Sequence, residues 1–174
     1  MKELLLKSTL TKKLKKKEIL SICKLKNTQW KYGVKSQLKW FNEHIQDNDI
    51  HNLAYFKENL VGYSLLRKRN FLLKKKKYLY LYYDTLIVLK KYRKFKIGHK
   101  ISNLNIKIIK KSKLHSMLIC EKNLLPFHER YKWKKMIKKK SQILDHKYPE
   151  NFLIMCFNQT ATIKKSHIEY FIFS

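Results

Sequence analysis

Arg93, Lys94 and Lys96 form a short basic stretch between two segments of different periodicity. Cations at such a junction suit an anionic ligand, above all one that carries phosphate. The segment before them, Tyr78 to Leu89, is rich in tyrosine and ends in the apolar run Leu86-Ile87-Val88-Leu89, which predicts a long buried strand. The segment after them repeats Ile97, Ile101, Leu104, Ile108 and Ile109 at helical spacing, which predicts a helix from near Lys96 to Lys111. The first amides of a helix have no partner inside it, and the macrodipole adds partial positive charge at that end. A strand that enters such a helix through a basic turn therefore makes a phosphate site.

Val88, Arg93 and then Ile97-Gly98 resemble the signature strand and turn of the GNAT superfamily of N-acetyltransferases, whose usual pattern is Arg or Gln-x-x-Gly-x-Gly or Ala. The resemblance implies that main-chain amides across Lys94, Phe95, Lys96, Ile97, Gly98 and His99 hold the pyrophosphate of acetyl-CoA. It also implies that amides near Val88 and Lys90 pair with the pantetheine arm like an added strand, and that the Leu89 amide donates to the thioester oxygen. The pattern's first glycine is Lys96 here, where a positive φ would strain the chain. A second stretch, Leu125 to Trp133, resembles the family's helix pattern Phe-Tyr-Glu-x-x-Gly-Trp or Phe. Phe127, Glu129 and Trp133 match; the Tyr is His128 and the Gly is Lys132.

The elements that must position these residues follow in order. An N-terminal strand and the basic turn Lys12 to Lys17 lead to a short helix, Lys17 to Leu25. The loop Asn27 to Gly33 carries Gln29, Trp30 and Tyr32, and Val34 to Ile45 repeats apolar residues as an amphipathic helix does. Ile50 to Phe56 and Leu60 to Leu66 predict two strands around the turn Lys57-Glu58-Asn59, with Gly62 early in the second. Arg67 to Lys77 reads as a basic connection, a long hairpin end. His115 to Cys120 is a further strand, and Phe152 to Phe157 with His167 to Phe173 predict a closing antiparallel hairpin across the polar stretch Asn158 to Ser166. This order is similar to the GNAT layout over nearly the whole chain. It implies one domain, 1–174, of α+β class (α/β), a GNAT-like mixed, mostly antiparallel central sheet with helices on both faces.

Acetyl transfer to an amine needs a group to take the ammonium proton and a donor for the leaving thiolate. Asp84, four residues before Val88, is placed to accept that proton or to hold the amine as a counter-ion; neutralising nearby lysines is the alternative. Tyr83 and its neighbour Tyr82 line the acceptor pocket or belong to the core. His128 stands where the resemblance puts the tyrosine that protonates the thiolate, and a histidine near its ordinary pKa could do that work. A helix-surface histidine without a role is the alternative reading, and Tyr131 is the substitute on the same helix. Trp30 and Tyr32 are candidate acceptor contacts; with the acids Glu43, Asp47 and Asp49 they suit a small amine such as an amino sugar, whereas the lysines of Arg67 to Lys77 suit a nucleotide-linked one.

The formal charge of +29 raises nucleic-acid binding as a second function class. Nearly all of that charge is lysine, spread among apolar residues, with arginine only at Arg67, Arg69, Arg93 and Arg130. Groove and phosphate recognition favours the arginine fork, so a strongly AT-biased genome is the better account of the lysines. A GNAT-fold acyl-CoA binder without activity is the third reading. Cys23, Cys120 and Cys156 are far apart and make neither a disulfide framework nor a zinc motif, and the seven histidines are scattered, so no metal is expected. No apolar run approaches bilayer thickness. The expectation is a cytoplasmic enzyme, monomer or homodimer, whose partners are acetyl-CoA and a small amine.

Overall fold

The computed structural model describes residues 3–136, 141–149, 151–158, 163 and 166–173. Its elements are β1 (Leu4–Leu10), α1 (Lys16–Asn27), α2 (Val34–His44), β2 (Ile50–Phe56), β3 (Asn59–Leu73), β4 (Lys76–Val88), α3 (Ile97–Ser112), β5 (Ser116–Glu121), α4 (Leu125–Glu129), β6 (Lys134–Lys135), β7 (Ser141–Ile143), β8 (Phe152–Phe157) and β9 (Ile168–Tyr170). Hydrogen bonds order the strands β1-β2-β3-β4-β5-β8-β6, and β9 pairs with β3 and β7. The β4–β5 and β7–β9 pairs are parallel, and β1–β2, β2–β3, β3–β9, β5–β8 and β6–β8 are antiparallel. This is a mixed, mostly antiparallel sheet. The chain divides into two compact units, Met1–Arg67 with Thr85–Asn105 and Lys68–Asp84 with Ile106–Ser174.

In the first unit, strand alternation sorts side chains onto two covered faces. Leu53, Tyr63, Leu65 and Ile87 pack with Ile22 and Leu25 of α1. Ala54, Val61 and Val88 pack with Ile97 and Ile101 of α3. The second contact depends on Gly62, because a Cβ there would lie 2.8 Å from Ile101 Cδ1 and 3.0 Å from Ile97 Cγ2. A polar tether adds direction: Asn105 Oδ1 of α3 accepts from Asn52 Nδ2 at 2.6 Å and from Ser64 Oγ at 2.9 Å, all three residues being buried. On the α2 side, His51 is buried between Thr11 Oγ1, 2.8 Å from its Nε2, and Tyr63 OH, 2.9 Å from its Nδ1.

In the second unit, β5 and β8 pair from Ser116↔Phe157 to Glu121↔Phe152, and β4 joins β5 at Leu81↔Ser116 to Tyr83↔Leu118. One core holds Phe71, Tyr80, Tyr82, Met117, Met136, Cys156, Ile168 and Tyr170. Within it, His115 Nε2 and Tyr170 OH are 2.6 Å apart, and Tyr80 OH donates to Phe171 O at 2.8 Å. The Asp145 carboxylate accepts from the amides of Ile172 and Phe173 at 2.7 to 2.9 Å.

Arg67 to Lys77 is the expected long hairpin end: β3 continues through Leu73, β4 begins at Lys76 and pairs beside it, and Lys74 and Lys75 make the turn. Two expectations change. Phe152 to Phe157 and His167 to Phe173 do not form a hairpin with each other: β8 pairs with β5 and β6, and β9 with β3 and β7. Part of the intervening stretch, 159–162 and 164–165, lies outside the described residues. The helix read across Leu124 to Trp133 is one short turn, Leu125–Glu129, followed by a reversal at Lys132.

Candidate active site

In the first unit, β4 ends at Val88 and the chain passes through a 3-10 turn, Lys90–Phe95, before α3 begins at Ile97. Lys96, between them, has φ 57° and ψ 26°, the left-handed conformation that glycine adopts most readily. A right-handed turn followed by one left-handed residue gathers successive amides onto one concave side, the geometry of an anion nest. The Lys96 amide donates to Arg93 O at 3.3 Å and the Lys100 amide to Lys96 O at 3.1 Å. Between them, the Ile97 and Gly98 amides have no hydrogen-bond partner among the described residues. At Gly98 a Cβ would meet only Val88 Cγ2, at an ordinary 3.7 Å, so the space beside these amides is open. Arg93, Lys94, Phe95 and Lys96 are exposed beside these amides, and His99 is half-buried.

Arg93 does more than supply charge. Its Nε donates to Val88 O at 3.2 Å and its Nη2 to Gln29 Oε1 at 3.2 Å, so it fastens the strand end to the turn and reaches the loop after α1. That loop carries Trp30 and Tyr32, which are 37% and 74% exposed, and is held by Gln37 Nε2 on Trp30 O and by the Gly33 amide on Asn27 Oδ1. The sequence had no signal for Gln29, which lies 64 residues from its partner. One cofactor residue is corrected. The Leu89 amide, expected to face the thioester, donates instead to Val61 O at 2.9 Å. The next amide, that of Lys90, opens the 3-10 turn and has no backbone partner among the described residues.

In the second unit, Tyr83 of β4 is buried with its ring centroid 6.0 Å from both His128 and Trp133. It is therefore packed against aromatic neighbours rather than held open. His128 is neither on a helix surface nor near its ordinary pKa: it is 8% exposed, and burial lowers its pKa to about 4. At neutral pH its imidazole is uncharged. Tyr131 follows in the turn after α4, half-buried, its ring 5.4 Å from Phe127. Asp84 is half-buried on β4, and successive strand residues face opposite sides, so it points away from the Tyr83–His128 pair. It shares its side with Tyr82, whose phenol is pushed well above its ordinary pKa by burial and then by the charge of Asp84.

Both glycines missing from the two sequence patterns leave their backbone angles behind. Lys96 has φ 57° and Lys132 has φ 66°. A left-handed residue with a Cβ costs about 1 kcal/mol or more. Lys96→Gly should thus leave stability unchanged or raise it by up to about 1 kcal/mol, relief of strain being offset in part by the freer unfolded chain. The same change removes a cation beside the open amides, so affinity for coenzyme A at low salt should fall several-fold. Urea unfolding and isothermal titration of the one variant read these opposite effects separately.

Sequence comparison finds no matching family model and no matching curated protein. Structural comparison does find similar folds. The chain superposes on a GNAT family N-acetyltransferase (YhbS) from Escherichia coli in complex with CoA at a TM-score of 0.67 and 11% identity, covering 97% of this chain and 89% of that one. An acyl-CoA N-acyltransferase from Pseudomonas aeruginosa gives 0.64 and 12%, covering 88% and 98%. Arabidopsis thaliana Naa50, in complex with the bisubstrate analogue CoA-Ac-MVNAL, gives 0.60 and 19%, covering 89% and 98%. Superposing over 88 to 97% of its length on these structures, the chain has the fold of the GNAT superfamily of N-acetyltransferases.

Proposed function

We propose that the protein is an acetyl-CoA-dependent N-acetyltransferase that moves the acetyl group directly to a primary amine in a ternary complex. The observation that carries the reading is the turn at Lys96: two amides without partners, Ile97 and Gly98, beside Arg93, Lys94 and Lys96. Two amides and three cations match the charge and acceptor oxygens of a pyrophosphate. Bound there, acetyl-CoA would supply an activated thioester. Val88 and Lys90 offer main chain for its arm, and the Lys90 amide takes over the donor role expected of Leu89.

Asp84 takes the proton released from the ammonium, and Tyr131 returns one to the departing sulfur. His128, neutral at pH 7, cannot be an imidazolium acid at useful occupancy and is assigned a packing role against Tyr83. Expected results follow for each residue. Calorimetry should show saturable, salt-sensitive uptake of coenzyme A. In a thiol-release assay Tyr131→Phe should lower kcat about 10- to 100-fold with affinity for coenzyme A within twofold, whereas His128→Phe should leave kcat within about threefold. Uptake of coenzyme A without turnover of any amine would identify a binder that has lost catalysis, and no uptake would end the enzyme reading. The amino-sugar acceptor belongs in the amine panel beside a peptide N-terminus, since the Naa50 complex carries a peptide-derived analogue.

A further inference from the structure

β1 stands at one end of the strand order and pairs with β2 alone, so its outer row of amides and carbonyls has no strand partner among the described residues. Proteins usually blunt such an edge with a proline, a bulge or an outward lysine. This edge has none of them. Its seven residues run in unbroken register from Leu4↔Phe56 to Leu10↔Ile50 and include no proline. Their one lysine, Lys7, is tied to α1, its Nζ 2.6 Å from Glu18 Oε1. Leu5, two residues before it on the same face, is 61% exposed.

The charge beside this strand reverses that of the chain. Lysine and arginine number 41 against 12 acids in the whole sequence, yet in the groove floored by Leu5 and Tyr55 the acids Glu3, Glu18 and Glu58 outnumber Lys7 and Lys57. Glu18 is already engaged, accepting from Lys7, from Tyr55 OH at 3.3 Å and from the Lys15 amide at 3.0 Å. Glu3 has no ion pair among the described residues. Two strongly basic molecules can therefore approach here without like charges meeting.

The strand is also its own complement. Antiparallel pairing of two copies about a two-fold axis at Leu5 sets Leu5 opposite Leu5, Leu4 opposite Leu6 and Glu3 opposite Lys7, and residues directly opposite share a face. Lys7 has three N–H donors, so the one on Glu18 leaves two for Glu3 of the second copy. Leu4 and Leu6 already pack on the α3 side, and the pairing extends that apolar layer across the axis.

We propose that the protein forms a two-fold dimer by antiparallel pairing of β1 with β1 of a second copy, centred on Leu5. The dimer requires neither coenzyme A nor an amine, so it stands apart from the acetyltransferase reading. Sedimentation velocity on the full chain at about 0.15 M salt, where exposed charges more than about 8 Å apart are largely screened, should show a dimer whose share grows with concentration. Leu5→Lys sets two cations opposite each other and should weaken association at least about 10-fold, with an unchanged circular dichroism spectrum. The register is read by cysteine. Opposite Cα atoms in an antiparallel pair lie about 4.5 to 5.5 Å apart, within disulfide range, and the native cysteines are buried. With oxidised glutathione as oxidant, Leu5→Cys should give a covalent dimer, and Ser8→Cys, exposed on the same strand but three residues off the axis, should not. A monomer at every concentration, a dimer indifferent to Leu5→Lys, or equal cross-linking at the two positions would overturn the proposal.

Discussion

Gly62→Val should destabilise the protein by about 3 kcal/mol and abolish binding of coenzyme A, although residue 62 is not itself one of the proposed ligand groups. A first Cβ at this position would already lie 2.8 Å from Ile101 Cδ1, 3.0 Å from Ile97 Cγ2 and 3.3 Å from Ala54 Cβ. The valine methyls have no free volume to enter, so α3 must lift from β2 and β3. Ile97 and Gly98 lie in the first turn of that helix, so the displacement carries their open amides with it. A loss of this size is a large part of the 5 to 15 kcal/mol that holds a typical domain together. Gly98→Ala is the matched control. Its Cβ meets Val88 Cγ2 at an ordinary 3.7 Å, so it should fold at least as well as the parent and affect only the ligand. A Gly62→Val protein with an unchanged urea midpoint and intact uptake of coenzyme A would show that the α3 contact does not govern the site.

Stability should also collapse between pH 6.5 and 4. His51, His115 and His128 are buried, and burial lowers each pKa to about 4 from 6.5. Above pH 6.5 all three are neutral in both folded and unfolded chains and cost nothing. As the pH falls below 6.5 the unfolded chain takes up protons that the folded one refuses, so the equilibrium moves toward unfolding until the folded values near 4 are reached. A fall from 6.5 to about 4 is worth about 3 kcal/mol for each group, and three together approach the whole stability of an ordinary domain. The formal charge of +29 acts in the same direction as the carboxylates begin to protonate. Far-UV circular dichroism against pH should show a cooperative transition centred near pH 5. A flat signal from pH 7 to 4.2 would mean that the three imidazoles are reached by solvent or partners that stabilise their charged forms.

The strongly periodic elements were legible from the residues alone. Val34 to Ile45 predicted α2, which runs Val34–His44, and Ile97 to Lys111 predicted α3, which runs Ile97–Ser112. Each carries an apolar stripe at helical spacing, and a stripe is a local signal. The two residues of β6 and the three of β7 have no length in which a period can appear. The partners of β8 and β9 are set by pairings far along the chain, so two adjacent apolar runs looked like one hairpin when they are not. At the candidate site the basic turn was readable because charge, strand and helix adjoin there. The commitment of the Leu89 amide to Val61, the grip of Arg93 on Gln29 and the burial of His128 were not, since each depends on a residue from elsewhere in the fold.

Lysine at positions 96 and 132 separates two things usually read as one, the letter in a motif and the torsion that the letter permits. Lys57, Lys74, Lys75 and Lys113 bend the chain in the same unusual sense. A search that demands the small residue by name passes over such a chain, while superposition of its path does not. For a chain as rich in lysine as this one, likeness of fold is better sought in a dihedral fingerprint than in spelling.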